Sequence, residues 1–89
     1  MAKFVMWGSY CENALEKRTP YRVAHLAGLT EQKEQGLLTA LGPTTDNRKV
    51  FGTYEAEDEA TVRQLVEQDP YWLNGIWTEY EIYEWNQVF

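Results

Sequence analysis

Residues 37 to 56 read LLTALGPTTDNRKVFGTYEA. The first part, LLTALGP, has the look of a short strand stopped by Gly42 and Pro43. TTDNR is a polar turn, and KVFGTYEA is a second short strand. A hairpin here lies in the middle of an 89-residue chain, so the fold is decided by what flanks it on each side.

Upstream, KFVMWGSY is a compact strand-favouring run with apolar side chains on both parities, as in a strand covered on both faces. After CENALEKR, Thr19 and Pro20 signal a helix start, a hydroxyl to accept an orphan N–H followed by a ring whose φ is already helical. Gly36 supplies the stop, and the helix between is expected to be about 24 Å long at about 1.5 Å per residue. Downstream, Asp58 caps a helix through EATVRQLVEQ, with Glu59 in its first turn favoured by the dipole, and Pro70 ends it. GIWTEYEIYEW then alternates as a long last strand, placing Ile76, Thr78, Tyr80 and Ile82 against Trp77, Glu79, Glu81 and Tyr83.

The order β-α-β-β-α-β is the split βαβ pattern of an α+β, ferredoxin-like fold, one antiparallel sheet with both helices on one face. Residues 1–89 make a single domain of this kind. The second sheet face carries large residues and is left bare, so a homodimer packed sheet to sheet is the expected way to cover it. Size argues the same way, because a monomer this small buries only about 60 to 65% of its unfolded surface.

Hydrophobic residues make up 44% of the chain and aromatics 15%, well above what a disordered acidic segment carries. A net charge of −6 with eight scattered Lys and Arg leaves no basic stripe for nucleic acid or for an anionic membrane surface. No stretch approaches the roughly 20 apolar residues that cross a bilayer. MAKFVMWGSY lacks the apolar run of a secretory signal, so the expected location is cytoplasmic. One cysteine, Cys11, and one histidine, His25, exclude an internal disulfide and a thiolate–imidazole zinc site. The expectation is therefore no metal and no cofactor.

The lone imidazole stands in TPYRVAHLAGL. On a helical wheel Val23, Leu26, Leu29 and Leu37 form one arc, and His25 falls at its edge beside Tyr21, Arg22 and Gln32, bordering the core. Asp69 follows Val62, Leu65 and Val66 at i+7, i+4 and i+3, so it points with the apolar stripe of the second helix. A carboxylate there needs a partner. Either it bonds backbone N–H groups in a turn opened by Asp-Pro, or it pairs with His25 across the two helices. In the second case it orients the ring through one nitrogen and leaves the other free to take a proton from a ligand.

The run LEKRTPYRVAHLAGL, then GLLTALGP, DPYWLNGIWTEYEI and the terminal WNQVF, resembles the YCII-like family over nearly the whole chain. The similarity is carried by Arg22-x-x-His25, Gly42-Pro43, Asp69-Pro70-Tyr71 and Gly75. It implies a ferredoxin-like dimeric α+β barrel, related in architecture to muconolactone isomerase, with His25 and Asp69 as an active-site dyad. The family includes a dehydrochlorinase acting on a chlorinated hydroxyhydroquinone, which supplies a precedent for the reaction class. This chain departs from the pattern at Val23, where relatives carry Pro in Arg-Pro-x-His, and at Glu84 beside Trp85, where many have Pro. The turn between the middle strands is also short.

These readings converge on a cofactor-independent enzyme in which His25, oriented by Asp69, performs isomerase- or elimination-type proton transfer on a small, cyclic or aromatic, organic substrate. The alternative is a dimeric module that binds a metabolite without turning it over. Arg22 is a candidate clamp for a carboxylate or phenolate. Ser9, at the end of the first strand, is a candidate ligand contact where a pocket between sheet and helices opens. Tyr71, with Trp7, Trp72, Trp77 and Trp85, is a candidate ring-stacking surface or simply core and dimer seam. Cys11 is a packing residue or a nucleophile served by His25.

Overall fold

The computed structural model describes all 89 residues. Its elements are β1 (Ala2–Tyr10), α1 (Ala14–Lys17), α2 (Arg22–Glu34), β2 (Leu38–Pro43), β3 (Lys49–Ala56), α3 (Glu59–Glu67), α4 (Pro70–Leu73) and β4 (Trp77–Glu84). The strands form one sheet in the order β2-β3-β1-β4 with every neighbouring pair antiparallel. The first and last strands of the chain are thus adjacent, the interleaving that defines the ferredoxin-like α+β fold.

Strand parity sorts the side chains between two faces. Phe4 and Met6 of β1, Val50, Tyr54 and Ala56 of β3 and Ile82 of β4 are buried, together with Val62 and Val66 of α3. β1 and β4 approach closely where Gly8 of β1 pairs with Tyr80. A Cβ there would lie 2.8 Å from the Glu79 carbonyl oxygen and 3.1 Å from Val50 Cγ1. The opposite face carries Val5, Trp7, Phe51 and Tyr83 beside charged residues, with Trp7 and Phe51 in edge contact at 6.1 Å and each about two-fifths exposed, 40% and 42%.

Four local expectations are corrected. Thr19 does not cap a helix: its hydroxyl donates to the Leu15 carbonyl. Thr19–Tyr21 is a 3₁₀ turn joining the short α1 to α2, so α2 has 13 residues and spans about 20 Å rather than about 24. Its stop is as expected. Gly36, at φ +77°, closes a Schellman motif in which Gly36 N–H donates to Lys33 O and Leu37 N–H to Gln32 O. Pro70 does not end α3, which stops at Glu67; it occupies the first position of α4.

The other two corrections shape the site. Val23 and Leu26 are 83% and 44% exposed, and the one buried residue of α2 is His25. The inward face of that helix is therefore centred on the imidazole and not on the aliphatic arc. In β4 the simple alternation breaks. Tyr10 pairs with Trp77 and Ser9 with Glu79, leaving Thr78 as an extra residue in a bulge. A bulge re-aims the following parity, so Trp77 turns inward with Tyr80 and Ile82 and is only 2% exposed.

Candidate active site

Asp69 lies between the two short helical segments that follow the hairpin. α3 buries Val62 and Val66, and one further turn of the same stripe delivers Asp69 to the interior. The following proline has no N–H to satisfy and presets the first turn of α4, for which Asp69 is the cap. Its Oδ1 accepts a hydrogen bond from the Tyr71 backbone N–H at 2.8 Å. The same carboxylate accepts from His25 Nδ1, at 2.7 Å to Oδ1 and 2.9 Å to Oδ2. The two roles left open by the sequence, local turn and imidazole partner, are filled by one side chain.

Both residues are 4% exposed. A carboxylate so deep is tolerated because its oxygens are fully engaged. The imidazole is held on further sides by rings. Tyr71 stacks on it at 3.6 Å with planes 6° apart, and Trp77 meets it edge-on at 5.4 Å and 88°. Tyr71 is placed by α4 and Trp77 by the β4 bulge, so three separate elements converge on one ring.

Because the carboxylate only accepts, Nδ1 carries a proton, and in the neutral ring it is Nε2 that presents the lone pair. Nε2 makes no hydrogen bond within the chain and is not among the sealed unpaired polar atoms, which are Gln32 Oε1, Tyr71 Oη and Trp77 Nε1. His25 lines a hollow of about 290 Å³ walled by Leu26, Leu29, Leu41 and the Tyr71 ring, with Tyr10, Arg18, Arg22 and Asn47 supplying polar groups. Burial pushes the Tyr10 phenol above its ordinary value, so it remains a hydrogen-bond donor around neutral pH.

Of the residues singled out from the sequence, His25, Asp69, Arg22 and Tyr71 come together here. Ser9 does not. It lies on the outer sheet face, accepting from Lys49 Nζ at 2.7 Å and donating to Glu79 Oε1 at 3.0 Å. The expectation that it opens into the space between sheet and helices fails on strand parity, which gives that position to Tyr10. Cys11 lines a larger, open cleft of about 780 Å³ with Ser9, Asp46 and Lys49. That cleft contains no imidazole, so no cysteine–histidine pair is assembled. Trp72 packs edge-on against Tyr80 at 5.0 Å, away from the ring cluster.

Tyr10, Arg18 and Asn47 were not anticipated. Arg18, Arg22 and His25 follow i, i+4, i+7 spacing, the signature of one helical face, but a helix begun at Thr19 leaves Arg18 outside it. Asn47 reaches the hollow because the short β2–β3 turn puts it at φ +59°, with Asp46 Oδ1 accepting from Arg48 N–H and from the Thr44 hydroxyl. No group of three or more His, Cys, Asp or Glu side chains is arranged to hold a metal ion, and no helix is long and apolar enough to cross a membrane.

A family model described as the YCII-related domain matches residues 2–86. No curated protein matches the sequence. Among solved structures, the chain is similar to a 5-chloro-2-hydroxyhydroquinone dehydrochlorinase of Burkholderia phenoliruptrix in complex with 2,5-dihydroxybenzoquinone, with a TM-score of 0.80 and 27% identity over 94% of this chain and 93% of that one. An antibiotic biosynthesis monooxygenase gives a TM-score of 0.60 at 12% identity, covering 99% of each chain. An acylphosphatase from Bacillus subtilis gives 0.57 at 15%, covering 99% of this chain and 89% of that one. These last two share the fold alone.

Proposed function

The chain belongs to the YCII-related family, and we propose that it is a cofactor-independent enzyme that moves a proton on a small cyclic substrate, with His25 as general base and Asp69 as the residue that positions it. The observation that carries this reading is the buried pair at 2.7 Å with the opposite ring nitrogen beside a hollow. A substrate there gives a proton to Nε2. The electron pair of the broken bond either shifts along the ring, an isomerisation, or expels a leaving group such as chloride, an elimination. The imidazolium formed is stabilised by the Asp69 carboxylate and returns its proton to product or solvent. The similarity to a dehydrochlorinase over most of both chains supports small-ring chemistry.

The test is chloride release from 5-chloro-2-hydroxyhydroquinone, with binding of 2,5-dihydroxybenzoquinone measured alongside. His25→Gln is expected to lower chloride release by a factor on the order of 10² to 10⁴, the usual worth of a positioned base, while the quinone still binds. Undiminished release by His25→Gln contradicts the mechanism. Quinone binding without chloride release by the parent protein favours a binding module.

We also propose that two copies pair through the outer sheet face in the cytoplasm. Val5, Trp7, Phe51 and Tyr83 make that face apolar enough to bury, and an interface built on one patch from each copy is closed by two-fold symmetry. Sedimentation is expected to give twice 10.4 kDa at micromolar concentration, and Phe51→Glu to give the monomer. A monomeric parent protein contradicts the pairing.

A further inference from the structure

The chain holds 14 acidic and 8 basic residues, yet the hollow beside His25 is lined by Arg18 and Arg22 and by no Asp or Glu. Asp69 lies behind the ring, with its oxygens turned to Nδ1 and to the Tyr71 N–H. Neither guanidinium forms an ion pair: the chain's pairs are Lys3–Glu55, His25–Asp69 and Arg63–Glu59. In an acidic protein two unpaired arginines at one cavity run against the overall charge balance. The remaining polar lining adds donors. Tyr10 carries a protonated phenol, and Asn47 an amide. Leu26, Leu29 and Leu41 make the walls apolar, and about 290 Å³ suits a single ring at the small end of ligand sites.

We infer that this hollow selects its substrate as an anion, a planar ring bearing a carboxylate, phenolate or enolate oxygen, and that Arg18 and Arg22 are the residues that determine this selectivity. The inference rests on the hollow being the binding site of the proposed function. It adds the charge state of the ligand and gives Arg18 a role. A guanidinium offers two parallel N–H groups to such an oxyanion. An anion fixed by residues one and two turns before His25 brings the ring it belongs to alongside the imidazole.

The probes are benzoate and its neutral isostere benzamide, titrated at low salt and followed by the amide and ring signals of His25 and Tyr71. Benzoate is expected to bind about tenfold or more tightly than benzamide, the worth of a charge-assisted hydrogen bond over a neutral one. Arg18→Gln and Arg22→Gln are each expected to erase most of that preference without weakening benzamide. Equal affinity for the two probes, benzoate binding unchanged in both variants, or no benzoate binding at millimolar concentration overturns the inference. If the preference is found but His25→Gln keeps its chloride release, the proton-transfer reading falls while the anion selectivity stands.

Discussion

Asp69→Asn is expected to leave the protein folded and to remove two to four orders of magnitude of turnover, on the order of what a misoriented catalytic imidazole costs elsewhere. The reason lies in how the carboxylate divides its bonds. Oδ1 accepts from both His25 Nδ1 and the Tyr71 N–H, at 2.7 and 2.8 Å, while Oδ2 stands 2.9 Å from Nδ1. An asparagine keeps an oxygen for the α4 cap, so the helix start and the packing of Tyr71 survive. Its NH₂ then takes the place of Oδ2 and faces Nδ1 with hydrogens. Nδ1 is then left between an amide oxygen and amide hydrogens, so the ring is no longer held to the tautomer that offers the Nε2 lone pair to a substrate proton. The charge that stabilises the imidazolium is lost as well. Thermal unfolding and chloride release measured on the same preparation check both halves, and full turnover in a folded Asp69→Asn protein contradicts the assignment. Asp69→Ala is a poorer probe, because it removes the cap together with the pair.

Trp77→Ala is expected to destabilise the domain by about 3 to 5 kcal/mol, the range for deleting a large buried aromatic. At about 4 to 8 °C per kcal/mol for a domain this small, the midpoint of thermal unfolding falls by roughly 12 to 40 °C. Trp77 is 2% exposed and closes one side of the ring cluster, in edge contact with His25 and with Tyr71 at 5.8 Å. Trp77→Phe is the companion variant. It keeps most of the packing but removes the indole N–H, which lies beside the Tyr10 hydroxyl. The phenylalanine protein is therefore expected to lose clearly less than the alanine protein, roughly 1 to 2 kcal/mol. An alanine variant losing less than about 1 kcal/mol shows that the bulge does not bury Trp77 as described.

The topology was legible because each piece of it has a local cause. Gly36 and Gly42-Pro43 punctuate the chain, the TTDNR turn joins two strand-like runs, and Asp58 caps α3 through the Thr61 N–H at 2.9 Å. The side chains that build the site were less legible where their orientation depends on tertiary context. Alternation puts Trp77 on the face opposite Tyr80 and Ile82, and only the two-for-one pairing of β4 against Ser9 and Tyr10 brings it to their side. The helical wheel makes Leu26 core and His25 marginal. The order is reversed because stacking on Tyr71 and bonding to Asp69 stabilise a buried imidazole that hydrophobicity alone would leave at the edge. Arg18 was hidden by a helix start placed at Thr19, although its spacing to Arg22 and His25 was in plain view. The stripe of α3 showed an acid carried inward at its end, but left a local turn and a pairing with His25 equally open; both are made by the one carboxylate.

The single histidine permits a decisive measurement with no mutagenesis or assignment by elimination: the nitrogen-15 shifts and long-range proton couplings of the His25 ring. The proton is expected on Nδ1, shared with Asp69, with Nε2 unprotonated and shifting when 2,5-dihydroxybenzoquinone is added. A ring protonated on Nε2 alone, indifferent to the quinone, contradicts a base held by Asp69 and aimed at the hollow.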